Sequence, residues 1–221
     1  EASLKEESSG ERQQTQEEEQ DEAQITIQAN QLRTTGGTTQ VGGSLSSFAG
    51  VPVISPGGAV SAASFAASNP LPPGGFISIF GGNLAPAVAE ATSLPLPSQL
   101  SEVSVTAAGQ PVPLTFVSPN QINGVLPFGL TADSAQQIVV KNGNALSTPE
   151  AISVSRAQPA VFTQSFSGVG PGIVVGVRPD GSQFLVGPTS RLSVGDAAVI
   201  YCAGLGLVDQ EIDAADAAPG D

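Results

Sequence analysis

The chain has 221 residues, 40% of them hydrophobic and only 12% charged, with 26 glycines and 18 prolines. That profile excludes a helical bundle, which draws on more Leu, Glu, Lys and Arg, and points to many short strands joined by turns. The formal net charge of −13 sits at the two ends: residues 1–22 carry a net of −7, residues 209–221 a net of −5, and the 186 residues between a net of −1. A nearly neutral body lacks the basic stripe of a nucleic-acid binder and the polybasic patch of a membrane-surface protein.

Residues 1–23 are rich in Glu, Gln and Ser with almost no apolar side chain. Such a segment cannot offset its ordering entropy by burial and reads as a disordered acidic head, dispensable for folding. Glu1 in place of an initiating Met reads as a processed or trimmed start. Residues 24–50 read as a lone strand followed by a linker. Gln24 to Leu32 alternates polar and apolar, which sets Ile25 and Ile27 on one face, and the Gly, Thr and Ser run from Thr34 to Gly50 is the linker.

A first module is expected over residues 51–156. Val51-Pro-Val-Ile54 suits an edge segment, because Pro52 cannot donate to a central ladder. Ala59 to Phe65 is ambiguous between a strand and a short helix. Asn69 to Gly75 forms a turn into a strand at Phe76–Phe80, and residues 85–99 read as a Pro-rich loop. Glu102–Ala107 and Val112–Val117 read as a hairpin across Ala108-Gly109. Ser118 to Pro127 is a turn and a short strand. Gln137–Lys141 turns at Asn142-Gly143, a strong hairpin signal, and returns near Ala145; Ala151–Ser155 closes the module. About seven short strands in roughly 100 residues point to an immunoglobulin-like sandwich.

Residues 157–221 read as a second, incomplete module with an acidic tail. Ala160–Thr163 is a strand, Gly172–Arg178 and Ser182–Val186 flank a Pro179-Asp-Gly181 turn, and Asp196–Cys202 is the last strand. That last stretch echoes the first module without gaps. Gly74, Ile79, Phe80 and Leu84 match Gly195, Ile200, Tyr201 and Leu205 at one constant offset of 121 residues, which marks two copies of one unit. The repeat predicts a buried strand in each copy, with Ile77, Ile79, Ile200 and Cys202 in the core.

Gly58-Ala-Val-Ser-Ala-Ala-Ser-Phe65, Pro73 to Ala85, Leu94-Pro-Leu-Pro97, Val117 to Asn123 with Leu126-Pro-Phe128, and Ile200 to Gly206 form an ordered set of motifs. Over roughly residues 57–208 this set resembles an uncharacterised domain of secreted bacterial proteins, a family expanded in acidobacteria and usually found at protein C-termini. The resemblance implies an all-β fold of tandem IPT/TIG-like immunoglobulin sandwiches, an extracellular or cell-surface location, and a non-catalytic module. It supplies no catalytic residues to carry over. The chain departs from the family at its end, where a second complete sandwich is expected.

The chemistry available is narrow. The chain has no His and one Cys, which removes His-based triads, His metal sites and the usual Cys zinc sites. Cys202 reads as a buried, inert thiol. Asp180 and Asp196 read as turn and strand-start residues. Gly168-Val-Gly-Pro-Gly172 imitates a phosphate loop but has neither Lys nor a following helix. Asp209, Glu211, Asp213 and Asp216 are spaced to hold Ca²⁺, yet the Gly and closing Glu of an EF-hand are missing, so a solvated tail is the better reading. No cofactor is expected. Asn120 and Asn123, around Gln121, suit either a ligand or a turn.

A carbohydrate partner is possible, although there is no Trp and the one Tyr falls in a predicted strand. The favoured expectation is a self-assembling surface or filament subunit joined by strand addition through Ile25, Ile27 and Leu32. An accessory ligand-binding, adhesion or spacer module of a larger secreted protein is the alternative.

Overall fold

Alternating side chains along the first strands set up two opposed sheets. The computed structural model describes residues 50–208 and 212–217. Among them there is no helix, and the structure is all-β with antiparallel sheets. The first sheet contains β1 (Val53–Ser61), β2 (Phe76–Gly82), β3 (Ala89–Glu90), β7 (Leu114–Val117) and β8 (Gln121–Val125). Its order is β1-β2-β8-β7-β3. The second contains β4 (Gln99–Leu100), β5 (Val103–Ala107), β6 (Gln110–Pro111), β9 (Ser134–Asn142), β10 (Ala145–Leu146) and β11 (Glu150–Val154), with β9 and β5 central.

In each strand alternate residues point inward. Ile77, Ile79, Leu114, Val117 and Ile122 from the first sheet meet Val103, Val105, Ile138, Val140, Ile152 and Val154 from the second in one apolar cluster. The aliphatic, Trp-free composition is thus spent on one sandwich core. At the margin, the β1 bulge between Ile54 and Ala59 brings the Gly57 N–H to within 2.7 Å of Glu150 Oε1 on β11, tying the edges of the two sheets. Leu71 makes a second tie: its N–H donates to the Ser153 carbonyl, and its carbonyl accepts from the Ser155 N–H.

The ambiguous Ala59–Phe65 run is strand as far as Ser61 and then turns, with Phe65 at φ 51°. The expected hairpin over residues 102–117 forms for only two return residues. The Val112 N–H still bonds the Val105 carbonyl on β5, but by Leu114 the chain has crossed into the first sheet. Pro111 and Pro113 explain the exchange, because neither can donate to a continuing ladder, while Val112 and Leu114 both bury in the core. The Pro-rich loop over residues 85–99 holds β3 and the start of β4, one in each sheet.

After Val154 the architecture thins. β12 (Ala160–Val161) pairs with β16 (Cys202–Ala203), and β13 (Val174–Val177) lies between β14 (Gln183–Leu185) and β15 (Ala197–Ile200). The repeat persists in the backbone. β2 maps at the 121-residue offset onto β15 plus β16, and the positive φ of Gly74 and Asn83 returns at Gly195 and Gly204. The burial does not persist. Ile79 is 0% exposed, whereas its counterpart Ile200 is 54% exposed, and Leu205 is exposed where Leu84 is buried. The physical reason is that β2 has a second sheet across from it, whereas β15 is the edge of a three-stranded sheet. Cys202 is half-buried rather than fully buried, and Tyr201 lies exposed between β15 and β16.

This asymmetry has a direct test. Ile79→Asp is expected to cost about 4 kcal/mol or more, because it strands a charge in the core. Ile200→Asp is expected to cost about 1 kcal/mol or less in the dilute monomer. Urea unfolding of both variants checks this, and equal losses would contradict it.

Candidate functional site

Two features outside the sandwich core can engage a partner. The first is the open sheet β14-β13-β15. Cross-strand partners share a face, so Leu185, Val175 and Val199 line up on one side, and Phe184, Gly176 and Ala198 on the other. On the second side the Phe184 ring lies over Gly176, and the Arg178 guanidinium stacks on that ring at 4.3 Å from its centroid. On the first side Leu185 and Val199 are half exposed. Among the described residues no strand pairs with the outer edge of β14 or of β15. The hairpin joining β13 to β14 is closed by Asp180, whose Oδ1 accepts the Ser182 N–H at 2.9 Å. Hydrogen bonds from the Ser182 side chain and backbone, with Arg178 nearby, hold that carboxyl below its ordinary 3.8.

The second feature is a cleft of about 670 Å³ between the outer face of the first sheet and the loop after β12. Ile77 and Ile79 point into the core, so Phe76, Ser78 and Phe80 point out of it. The outward residues opposite them on β8 are Gln121 and Asn123. Ser78 is 1% exposed, and its Oγ donates to Asn123 Oδ1 at 2.9 Å. Gln121 Nε2 donates to the same oxygen at 2.8 Å. Among the described residues, the far end of each amide, Asn123 Nδ2 and Gln121 Oε1, has no partner. Among the described residues no buried side-chain polar atom is unsatisfied. Reversing both amides would still leave one donor group and one acceptor at the cleft.

Phe65 forms one end of the cleft, with its ring centroid 6.2 Å from that of Phe80. Phe162 and Phe166 form the opposite wall. Phe166 sits in a loop organised by the buried Thr163. The Thr163 Oγ1 accepts the N–H groups of Ser167 and Gly168, and its carbonyl accepts that of Phe166. Phe166 has φ 52° and is 74% exposed, so the loop holds a large ring up to solvent in an uncommon conformation. Gly168 fixes the loop's position. A Cβ there would lie 1.8 Å from the Ser64 carbonyl oxygen, and its φ of 74° also favours glycine.

A larger cleft of about 820 Å³ lies at the Pro-rich margin, lined by Pro95, Pro111, Pro113, Phe128 and residues 212–216. Two of its polar groups are engaged within the chain. Gln110 Nε2 bonds the Gly129 carbonyl, and the Leu96 N–H bonds the Ala215 carbonyl. The chain's own tail forms one wall of this cleft.

Ile25, Ile27 and Leu32 lie outside the described residues, as do Asp209 and Glu211. Asp213 is exposed, and its Oδ1 accepts the Ala215 N–H; Asp216 is also exposed. Among the described residues no group of three His, Cys, Asp or Glu gathers at a metal distance. Asp196 Oδ2 accepts the Ser193 N–H just before β15, and Gly168–Gly172 is part of the Thr163 loop. Ser118 Oγ satisfies the turn at Asn120, which frees Asn123 to sit on β8. The five cleft phenylalanines were missed, although the parity of Phe76 and Phe80 against Ile77 and Ile79 was a usable signal. Among the described residues no helix is long and apolar enough to cross a membrane. Compared with known proteins, the chain matches no family model and no curated protein.

Gly168→Ala is expected to undock the Thr163 loop at a local cost of about 1–3 kcal/mol. Limited proteolysis between residues 163 and 170 should then accelerate about tenfold, with the sandwich's melting temperature little changed. Unaltered proteolysis would contradict the close approach to Ser64.

Proposed function

We propose that this chain is a non-catalytic structural protein of the cell exterior, a subunit that assembles with copies of itself by strand addition. The observation that carries the reading is the sheet β14-β13-β15, which leaves two edges open and Leu185 and Val199 half exposed among the described residues. An open edge with apolar neighbours is a template for another strand. Gln24–Leu32 has the composition for that strand: Ile25 and Ile27 would lie on the apolar face and Leu32 at its end, with the linker before Gly50 supplying reach. Burying the exposed part of each such side chain contributes about 1 kcal/mol. Exchanged between copies, the strand is a head-to-tail contact, which builds an open filament. The motif order that resembles secreted IPT/TIG-like tandem sandwiches supports the extracellular location and the family membership within this proposal.

An accessory ligand-binding or spacer module is the second reading, favoured by the phenylalanine cleft.

Deleting Gln24–Leu32 is expected to abolish assembly while residues 51–155 stay folded. Light scattering with size-exclusion chromatography and electron microscopy reads the first, and near-native thermal unfolding the second. Assembly that survives the deletion, or a parent chain that stays monomeric at every concentration, would contradict the proposal.

A further inference from the structure

The phenylalanine cleft has a floor, a wall and a hydrogen-bonding set independent of the open sheet. We infer that it is a binding site for a neutral saccharide, a short run of uncharged pyranose units. None of its lining residues is ionisable, so a charged ligand finds no ion-pair partner there. The floor strands β2 and β8 are hydrogen-bonded on both edges, β2 between β1 and β8, and β8 between β2 and β7. A peptide therefore has no main-chain ladder to join, and recognition rests on side chains alone.

Those side chains form two kinds of surface. Phe76, 44% exposed, and Phe166, 74% exposed, offer aromatic surface to solvent, and apolar C–H faces of a sugar ring stack on such rings. In the same cleft Asn123 and Gln121 supply one amide donor group and one acceptor, suited to adjacent hydroxyls, each of which donates and accepts. The amides are already oriented. The buried Ser78 hydroxyl and the bond between the two amides fix them before any ligand arrives, so little rotamer entropy is lost on binding. The cleft's volume of about 670 Å³ lies within the ordinary range for small-ligand sites, roughly 300–1,000 Å³. Its wall is positioned by Thr163 and Gly168, which seat the Phe166 loop against the Ser64 turn.

The test uses the full chain and four uncharged probes with different linkages: cellohexaose, laminarihexaose, maltohexaose and mannohexaose. Titration calorimetry is expected to give saturable binding to at least one of them, unchanged between low and high salt because no ionic contact is involved. Phe166→Ala, at an exposed position that should not disturb folding, is expected to weaken that binding about tenfold; Phe76→Ala and Asn123→Ala should do likewise, with melting temperatures checked for each. No saturable binding to any of the four overturns the inference. So does binding that is the same in Phe166→Ala and Phe76→Ala as in the parent, or binding that is lost at high salt. The deletion of Gln24–Leu32 leaves this site's residues untouched. Saccharide binding that persists in that variant therefore separates this inference from the assembly proposal.

Discussion

Everything described in this chain depends on the burial of aliphatic side chains between two antiparallel sheets. Other forces contribute little by comparison. The one ion pair among the described residues, Arg156 with Asp133 at 3.1 Å, is exposed on both sides and so adds at most a fraction of a kcal/mol. There is one cysteine and therefore no internal disulfide. The sandwich must hold by packing, and the path of the chain enforces that packing. At Val112-Pro-Leu114 it passes from one sheet to the other with both apolar residues buried, so the sheets are linked through the core as well as across it.

The region after Val154 relies on that sandwich. Among the described residues beyond it, only Ala203 is a buried hydrophobic residue, and the strands there add no residue to the main apolar cluster. Instead, close backbone approaches attach the region. Gly168 lies on the Ser64 carbonyl, and a Cβ at Gly204 would lie 2.3 Å from the Gln158 carbonyl oxygen and 3.2 Å from the Pro72 ring. The same arrangement has two consequences. Among the described residues it leaves β14 and β15 with open edges, and it brings Phe162 and Phe166 over the outer face of β2 and β8. The proposed assembly surface and the proposed saccharide cleft both follow from a repeat that copies the strand path of the first module without copying its second sheet.

Local signals were legible in the sequence, and cross-sheet ones were not. Asn142-Gly143 and Pro179-Asp-Gly181 were readable as hairpins because their chemistry is local: Gly143 and Gly181 take positive φ, and Asp180 caps its own turn. The alternation around Ile77 and Ile79 was readable as a buried strand, since period two needs only neighbouring residues. The echo of that strand was equally readable, but its environment was not. Ile200 matches Ile79 in sequence and backbone, yet exposure is decided by what lies opposite, and that is set by residues far away in the chain. The switch at Pro113 escaped for the same reason, since a hairpin and a crossover begin identically at Ala108-Gly109. At the cleft, Asn123 was singled out but assigned no face. Its role became legible only once its register placed it beside Ser78, with phenylalanines from two distant segments around it.

The central claim is that one core stabilises the chain and that the later strands are marginal until something covers them. Amide hydrogen exchange in dilute solution tests it most directly, because it reads local opening free energies strand by strand. The ladder amides of β2, β5, β8 and β9 should open only with global unfolding. Those of β13 and β15 should open through cheaper local fluctuations, exchange about a hundredfold faster or more, and gain protection as concentration rises. Equal protection of β2 and β15 in the dilute monomer would contradict it.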